Sequence, residues 1–446
     1  MNETICALAT APGGALGIIR ISGDQSLEIL SRIFTKDLTT AQPNTIHYGH
    51  IAATTPDGFP SGSPSGIIDE AMVSVFRSPH SYTGEDSAEI SCHGSRYILN
   101  KVLELLVQNG CRMANPGEYT MRAYLNGKMD LSQAEAVADL IASTNSATHH
   151  LAMSQLRGGI STELSRLREQ LLKLTSLLEL ELDFSDHEDL EFADRTELLT
   201  LAQQTDAHIT RLADSFHAGN ALKNGIPVVI VGAPNVGKST LLNALVGEER
   251  AIVSDIQGTT RDAIEDTIQL GGITFRFIDT AGIRHTDDSI ENLGIERSIA
   301  AVQRAQIILM MTEPGVPYPD VPIRDDQTVI RIENKTDAFQ AKYGVGLDDL
   351  RQRLLDAAPK TGDSDVIVTN TRHYDALCRA HSHLQRVLDG LGTTNSPSSI
   401  LNSPLPPDLM AEDLRLTIDA LAEITGGQIT PNEVLGNIFT HFCIGK

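Results

Sequence analysis

Residues 232–239, with the sequence GAPNVGKS, have the types and spacing of a phosphate-binding loop. They fit the pattern G-x-x-x-x-G-K-[S/T], in which glycines let backbone N–H groups turn toward phosphate oxygens at a helix start. There Lys238 reaches the β- and γ-phosphates, and the Ser239 hydroxyl coordinates Mg²⁺. The apolar run at 228–231 predicts a strand before the loop, and 241–245 predicts a helix after it. A nucleoside triphosphate is therefore the expected ligand.

Three further segments follow in the order that GTPases use. DTAG at 279–282 ends an apolar run, which places the Asp279 carboxylate where it can hold Mg²⁺ through water. DIQGTTRD at 255–262 resembles a first switch, with Thr260 as the second Mg²⁺ ligand. NKTD at 334–337 follows a strand-like run, and the Asp337 carboxylate can accept both the N1 and N2 hydrogens of guanine. Adenine does not offer that pair of donors, so the set favours GTP.

The residues predicted to bind GTP lie in these four segments. They are Asn235, Val236, Gly237, Lys238, Ser239 and Thr240; Ser254, Asp255, Ile256, Gln257, Gly258, Thr259 and Thr260; Asp279, Thr280, Ala281 and Gly282; and Asn334, Lys335 and Asp337.

The position after DTAG lacks the glutamine with which Ras-like proteins orient the attacking water. Ile283 stands there, and its side chain neither donates nor accepts a hydrogen bond. Either hydrolysis is very slow or another group orients the water. Glu291, in the polar stretch that follows, is the candidate for that catalytic role, and the alternative is a solvated surface carboxylate.

Length and charge limit the possible functions. The 446 residues suffice for about three domains. The formal charge of −23, from 58 acidic and 35 basic residues, argues against the chain as a whole binding a phosphate backbone. Contact with nucleic acid would need a local basic patch or a basic partner.

The five cysteines are scattered and suggest neither a zinc site nor a disulfide framework. The N-terminus carries no basic signal region, and no apolar run approaches the length of a membrane span. We therefore expect a cytoplasmic protein with no membrane association.

The pattern of the chain predicts a multidomain fold of the α+β and α/β classes. Strands are expected at 17–21 and 71–76, a helix at 97–107 and a flexible loop at 54–66. From residue 131 the spacing is helical, and leucines in an a/d rhythm predict a long packed helix. They are Leu164, Leu167, Leu171, Leu174 and Leu178.

Helical spacing also follows the nucleotide-binding segment, so we expect a P-loop GTPase domain inserted into one helical domain; two separate helical domains are the alternative. The expected domains are residues 1–122, 123–224, 225–362 and 363–446. At the C-terminus, Thr430 as N-cap, Pro431 and Glu433 predict a last short helix with an apolar face.

Several tags outside the nucleotide site resemble the MnmE (TrmE) family of tRNA-modification GTPases. They are TICALAT at 4–10, GIIRISG at 17–23, SYTGED at 81–86, EISCHG at 89–94, PGEY at 116–119, LNGKMDL at 125–131 and FCIGK at 442–446. The resemblance covers nearly the whole chain. It implies that residues 1–122 form a folate-binding and dimerisation domain.

The resemblance also implies a reaction and partners. The family works as a homodimer with the FAD-containing protein MnmG (GidA), in a heterotetramer or larger complex. Together they add an aminomethyl or carboxymethylaminomethyl group at carbon 5 of the wobble uridine of certain tRNAs. A reduced folate, 5-formyl- or methylene-tetrahydrofolate, supplies or relays the one-carbon unit. We expect tRNA to be contacted mainly through the partner.

Individual residues match family positions. Arg20, Glu89, Lys128 and Lys446 match the folate-binding set, and Cys443 matches the tail cysteine proposed as a catalytic thiol. Glu291 matches the glutamate that orients water. The resemblance further implies a K⁺ ion that replaces an arginine finger. Its ligands would be Asn235, Ser254, Ile256 and Thr259.

The chain departs from the family pattern on the base side of the nucleotide site. GTPases have a helix and a strand between NKxD and the base-contacting S-A-K loop, but here QAK at 340–342 follows almost at once. The stretch 310–326 also lacks the usual aspartate after its strand. This departure keeps open a folate- or partner-binding scaffold with a compromised nucleotide site. An Era- or Der-like ribosome-assembly switch is the other rival function, because such proteins share the phosphate-binding loop and also lack the glutamine.

Overall fold

A computed structural model describes residues 3–53, 66–183, 195–248, 266–278, 299–359, 366–392 and 407–427, together with 435, 438–440, 442 and 445. The chain forms two compact units. The first comprises Met1–Ile141, Gln155–Ser161 and Ala422–Lys446, and the second comprises Ala142–Ser154 and Thr162–Leu421. The predicted loop at 54–66, apart from Gly66, lies outside the described residues.

The first unit is built on a six-stranded sheet. Its elements are β1 (Ile5–Leu8), β2 (Leu16–Ser22), α1 (Ser26–Ser31), β3 (Thr45–Ala52), β4 (Ile67–Phe76), β5 (Ser87–His93), α2 (Arg96–Gln108), β6 (Arg112–Met113), α3 (Glu118–Leu125) and α4 (Leu131–Ala142). The strand order is β3-β4-β5-β2-β1-β6, antiparallel except for the β1–β6 pair. The predicted strands and helix are confirmed.

Alternating apolar residues give this sheet one buried face. Ile19 and Ile21 of β2 are fully buried and pack in one core with Leu99 and Val102 of α2. The strand period of two and the helix period of 3.6 thus place both apolar faces in one core. The sheet positions Arg20, the β2 residue between these two isoleucines.

The second unit contains long helices and a five-stranded sheet. Its elements are α5 (Ser146–Leu156), α6 (Gly159–Asp183), α7 (Arg195–Asn224), β7 (Ile226–Gly232), α8 (Lys238–Glu248), β8 (Asp266–Leu270), β9 (Ile273–Phe277), β10 (Ile307–Thr312), β11 (Thr328–Glu333), α9 (Leu347–Ala357), α10 (Thr371–Gly392) and α11 (Pro407–Thr425). The first two of these helices each extend across the division between the units.

The sheet order is β11-β10-β7-β9-β8, parallel except for the antiparallel β8–β9 hairpin. Parallel strands buried on both faces read as continuous apolar runs, as β10 does with all six residues buried. The phosphate-binding loop follows β7, the central strand. Ligands of open α/β sheets bind at the carboxyl ends of such strands. The expected α+β and α/β fold class is confirmed.

The base side of this sheet is short, as the sequence predicts. Residues 334–340, all described, contain no helix or strand before a 3-10 turn at Ala341–Tyr343. Residues 313–327, also described, contain neither element between β10 and β11. Within residues 334–340 the chain therefore has neither the helix nor the strand that GTPases place between NKxD and the base-contacting loop.

The helices on either side of the nucleotide-binding sheet pack on each other. In α7 the Asp206 carboxylate accepts hydrogen bonds from His381 at 2.7 Å and Gln385 at 2.7 Å, both in α10. The five leucines at 164–178 in α6 are all buried, which confirms the predicted packed stripe. Within the described ranges, no helix is both long and apolar enough to cross a membrane.

The predicted C-terminal helix is described only in part. Leu435 and Phe439 are buried and pack with Leu131 and Ala134 of α4 in the first unit. The predicted N-cap, Thr430, and its neighbours Pro431 and Glu433 lie outside the described residues.

Candidate nucleotide-binding and folate-binding sites

The loop between β7 and α8 has the backbone of an anion cradle. Asn235 and Gly237 adopt positive φ values of 62° and 100°, which turn successive peptide groups. α8 begins at Lys238, and the N–H of Leu241 bonds the Gly237 carbonyl at 2.9 Å in its first turn. Val236 is buried and anchors the loop. Unpaired N–H groups at such a helix start favour a phosphate.

Lys238 is held over this loop. Its ammonium donates to the carbonyl oxygens of Gly232 at 2.8 Å and Ala233 at 2.9 Å. Burial lowers the pKa of the lysine below its usual value of 10.5, because desolvation disfavours the charged form. A phosphate beside the ammonium would oppose this effect. Ser239 is half-buried one residue farther along α8, as a hydroxyl ligand of Mg²⁺ requires, and Thr240 is exposed.

Asn334 joins the phosphate side of the site to the base side. Its side chain is buried; the Nδ2 group donates to the Val236 carbonyl at 2.8 Å, and Oδ1 accepts from the Ala341 N–H at 3.1 Å. Gly237 must lack a side chain here, since a Cβ would lie 2.5 Å from the Asn334 nitrogen. The structure therefore brings the loop at 235–237, NKTD and QAK together.

Lys335 and Asp337, the other NKTD residues predicted to bind GTP, are exposed at this edge. Lys335 adopts a positive φ of 64° and forms an ion pair with Glu313, which follows β10. Asp337 is exposed three residues after Asn334. The sequence singled out no role for Glu313, because ion pairs between separate loops leave no local pattern.

Many predicted nucleotide-site residues lie outside the described residues. They are Ser254, Asp255, Ile256, Gln257, Gly258, Thr259, Thr260, Asp279, Thr280, Ala281, Gly282, Ile283 and Glu291. Within the described ranges, no group of three or more His, Cys, Asp or Glu side chains could hold a metal ion.

In the first unit, Arg20 and Glu89 face each other across β2 and β5. The guanidinium donates to Glu89 Oε1 from Nε at 3.0 Å and from Nη2 at 2.6 Å. Its Nη1 donates to the Gly445 carbonyl at 3.1 Å, which brings the C-terminal tail to this pair. Gly445 has a φ of 95°, and a Cβ there would lie 2.4 Å from the Leu8 carbonyl.

Two tyrosines enclose Arg20; both lie in the SYTGED and PGEY tags, but the sequence assigned neither of them a role in binding. Its guanidinium carbon lies 5.5 Å from the Tyr82 ring centre and 5.6 Å from that of Tyr119, within cation–π range. Tyr119 also donates to the Arg20 carbonyl at 2.8 Å. Burial raises the pKa of Tyr82 above its usual value of 10, so its hydroxyl is neutral. An ion pair beside aromatic rings suits a flat ligand with polar edges.

The other predicted folate residues are less fully described. Lys128 is exposed and donates to the Pro79 carbonyl at 2.9 Å, and its stem lies beside Gly84 in the SYTGED segment. Lys446 and the candidate thiol Cys443 lie outside the described residues, on either side of Gly445.

Comparison with known proteins identifies relatives over the whole chain. Residues 4–128 match the family described as GTP-binding protein TrmE N-terminus, and residues 131–443 match the MnmE helical domain. Two curated relatives, both called tRNA modification GTPase MnmE, come from Phocaeicola vulgatus and Bacteroides fragilis. They are 51% and 50% identical to this chain, over 100% of it and over 99% and 100% of their own lengths.

A third relative of that name, from Flavobacterium johnsoniae, is 46% identical over 100% of this chain and 99% of its own. Among solved structures, the cytosolic domain of the T. maritima FeoB iron transporter in its GDP form matches with a TM-score of 0.21 and 16% identity. That match covers 44% of this chain and 96% of the FeoB chain.

Proposed function

Because the chain belongs to the MnmE family of tRNA modification GTPases, we propose that it hydrolyses GTP at the Lys238 loop and couples this reaction to tRNA modification. The observation that carries the nucleotide site is the Asn334 side chain, which ties the phosphate loop to the base-side loop. Both halves of the site are thereby positioned despite the shortened base side. This supports a working GTPase over the scaffold alternative.

In the proposed site, each part of GTP has assigned groups on this chain. Lys238 and the N–H groups of the loop contact the phosphates, and Asp337 accepts the guanine N1 and N2 hydrogens. Ser239 and Thr260 would hold Mg²⁺, and Asp279 would act through water. Bound metal ions neutralise charge that develops on the phosphate oxygens. Glu291 orients the attacking water in place of the missing glutamine.

Potassium dependence is also proposed. Asn235 lies in the phosphate loop with an exposed side chain and a positive φ, so its amide oxygen is available to a cation beside the phosphates. Ser254, Ile256 and Thr259 would complete the ion's shell.

The tRNA reaction and its partners form the next part of the proposal. With an FAD-containing partner of the MnmG (GidA) kind, the chain would add an aminomethyl or carboxymethylaminomethyl group at carbon 5 of the wobble uridine. Arg20, Glu89, Lys128 and Lys446 would bind 5-formyl- or methylene-tetrahydrofolate. Cys443 is the candidate thiol, and the contact of Gly445 with Arg20 supports a tail that lies at the folate site.

We propose a homodimer formed through the first unit. β3 is an edge strand, and Ile46 and Tyr48 on it are 68% and 55% exposed, beside Met72 of β4, which is 50% exposed. Exposed apolar side chains on a sheet edge support a protein interface.

The four domain boundaries and a cytoplasmic location also remain proposals. Cysteines with free thiols support a reducing compartment; they are Cys6, Cys92, Cys111 and Cys378.

The experiment combines the purified chain, the flavoprotein partner, a reduced folate and an unmodified tRNA. Mass spectrometry of digested tRNA would measure modified wobble uridine with GTP, with GDP and with Glu291→Ala. We expect the wild-type chain to form product with GTP but not with GDP, and the Glu291→Ala variant to form little product with GTP. Equal product with the variant would disprove coupling to hydrolysis. No GTP turnover by folded wild-type protein would favour the scaffold alternative.

A further inference from the structure

The start of α5 is packed onto the β8–β9 hairpin of the nucleotide-binding sheet. Residues 142–154 belong to the same compact unit as this sheet, whereas the residues before and after them belong to the other unit. Leu151 of α5 lies in one core cluster with Leu270 of β8 and Phe275 of β9. The segment is therefore part of the packing of the nucleotide-binding module.

Asn145 connects this helix to the hairpin through its side chain. Oδ1 accepts the Thr148 N–H at 2.8 Å and so caps α5, while Nδ2 donates to the Thr274 hydroxyl of β9 at 2.8 Å. The Asn145 N–H in turn reaches the Thr148 hydroxyl at 3.3 Å. A shift of β9 therefore acts directly on the cap of α5.

Backbone contacts hold the same two elements together. The Ala147 N–H donates to the Gly272 carbonyl at 3.2 Å, and Gln269 Nε2 donates to the Thr144 carbonyl at 3.1 Å. Gly272 has a φ of 78°, and a Cβ there would lie 2.0 Å from the Ser146 hydroxyl. A side chain at 272 would therefore have to displace the Ser146 hydroxyl at the helix start.

The hairpin connects the two segments expected to respond to the nucleotide. β8 begins at Asp266, four residues after the switch-like segment 255–262, and β9 ends at Phe277, two residues before DTAG. Nucleotide-dependent ordering of such segments is a recognised switching device. Whatever displaces them acts on the strands that hold Asn145.

We propose that Asn145 is a positioning residue that transmits the nucleotide state from the hairpin to α5. The proposal rests on the proposed function, in which GTP hydrolysis drives tRNA modification, and it names the contact that carries the coupling. Loss of the contact should leave GTP hydrolysis active and disconnect it from product formation.

Four variants distinguish the loss of this contact from general damage to the fold. Gly272→Ala pushes the turn against the Ser146 hydroxyl, and Ser146→Ala with Gly272→Ala removes that clash while keeping the backbone strain. Thr274→Val removes the acceptor for Asn145 Nδ2 and leaves the cap intact. Thr148→Val is the matched control, since it removes a cap hydroxyl and leaves the bond between Asn145 and Thr274.

Two measurements give the outcome. Amide hydrogen exchange at residues 145–150 of the full chain is compared with GDP and with a non-hydrolysable GTP analogue, and tRNA product is counted per GTP hydrolysed. Wild type should show a several-fold nucleotide-dependent difference in exchange. Gly272→Ala and Thr274→Val should lose it and make less product per GTP, whereas the double variant and Thr148→Val should resemble wild type.

Contrary results have distinct meanings. If wild-type protein makes product in a GTP-dependent way but exchange at 145–150 does not change with the nucleotide, the proposed role of Asn145 is wrong and the proposed function stands. A double variant as defective as Gly272→Ala also overturns it, because strain then explains the loss. Wild-type protein that makes no GTP-dependent product overturns the proposed function and the coupling with it.

Discussion

The Nδ2 group of Asn334 lies 2.8 Å from the carbonyl oxygen of Val236, although the two residues are 98 positions apart. This bond fixes the base-side loop against the phosphate loop. The same carboxamide accepts the Ala341 N–H, so one buried side chain holds three loops of the nucleotide site. The shortened base side has no helix or strand of its own to do this.

Replacing Asn334 with alanine should strongly weaken the binding of guanine nucleotides. Two buried groups, the Val236 carbonyl and the Ala341 N–H, would lose their partner, at a cost of about 1–3 kcal/mol. Because this cost falls on the loops that form the nucleotide site, we expect GDP binding to weaken by roughly 5-fold or more, measured with a fluorescent GDP analogue. Asn370→Ala is the control, because Asn370 caps α10 through its own side chain and touches none of these loops. Unchanged affinity in Asn334→Ala would refute the bridging role.

Asp337→Asn should change the choice of base. An amide can no longer accept both guanine N–H donors, but it can donate to the carbonyl that xanthine carries at carbon 2. We expect a loss of about tenfold or more for GDP and a gain for xanthosine diphosphate, since each lost charge-assisted hydrogen bond contributes about 1.5–3 kcal/mol. Competition binding with both nucleotides measures the change. Parallel losses for the two would contradict direct contact with the base.

Arg20→Lys should lower the affinity for a reduced folate while GTP hydrolysis stays unchanged. Lysine keeps the charge but loses the planar fork that reaches Glu89 and Gly445 together. Calorimetric titration with 5-formyl-tetrahydrofolate should show an affinity lower than that of wild type by roughly 10-fold or more. Arg32→Lys, in the exposed pair with Glu28 on α1, is the matched control. Folate affinity equal to that of wild type would place the ligand elsewhere.

Glu118→Gln should destabilise the first unit through a buried ion pair. Glu118 is 2% exposed and accepts from Arg112 at 2.7 Å and from Arg122 at 3.0 Å. Arg122 would keep its ion pair with Glu85 at 3.0 Å but lose the buried one with Glu118, at a cost of up to about 3 kcal/mol, measured by urea denaturation with circular dichroism. Glu28→Gln, in the exposed pair on α1, should cost less than about 1 kcal/mol. Equal losses for both would contradict the role of burial.

The same variant has a predicted pH dependence. Burial alone would raise the pKa of Glu118, but hydrogen bonds from Arg112, the Asn115 N–H and Arg122 outweigh it, so its pKa lies below 4.5. The folded state therefore binds this proton less readily than the unfolded state. The stability difference between wild type and variant should be constant above pH 4.5 and shrink as the pH falls toward the depressed pKa.

Local features of this chain could be predicted from the sequence, and contacts between distant segments could not. The phosphate loop and the helix that follows it occupy consecutive residues, so spacing alone indicates them. The Arg20 bond to Gly445 joins residues 425 apart, and the Asn145 bond to Thr274 joins residues 129 apart. Such contacts depend on how complete elements pack, and no periodicity records them.

Tyr82 illustrates a second reason why part of the candidate site could not be predicted from the sequence. An aromatic residue is more often part of a core than of a site, so its type alone carries no functional signal. Its place in the SYTGED tag assigns it no role, whereas the position of its ring, 5.5 Å from the Arg20 guanidinium, links it to the folate set. The order of the six-stranded sheet likewise follows from pairing across long loops, which strand periodicity does not determine.

The most direct test of the account is steady-state GTP hydrolysis by the full chain in KCl and in NaCl at matched ionic strength. The account predicts strong stimulation by K⁺ in wild type and its loss in Asn235→Ala, with nucleotide binding retained. Asn243→Ala, at an exposed position of α8 outside the predicted nucleotide-binding set, is the control for general damage to this helix. Turnover that is absent in both salts, from protein shown to be folded, would contradict the proposed GTPase function.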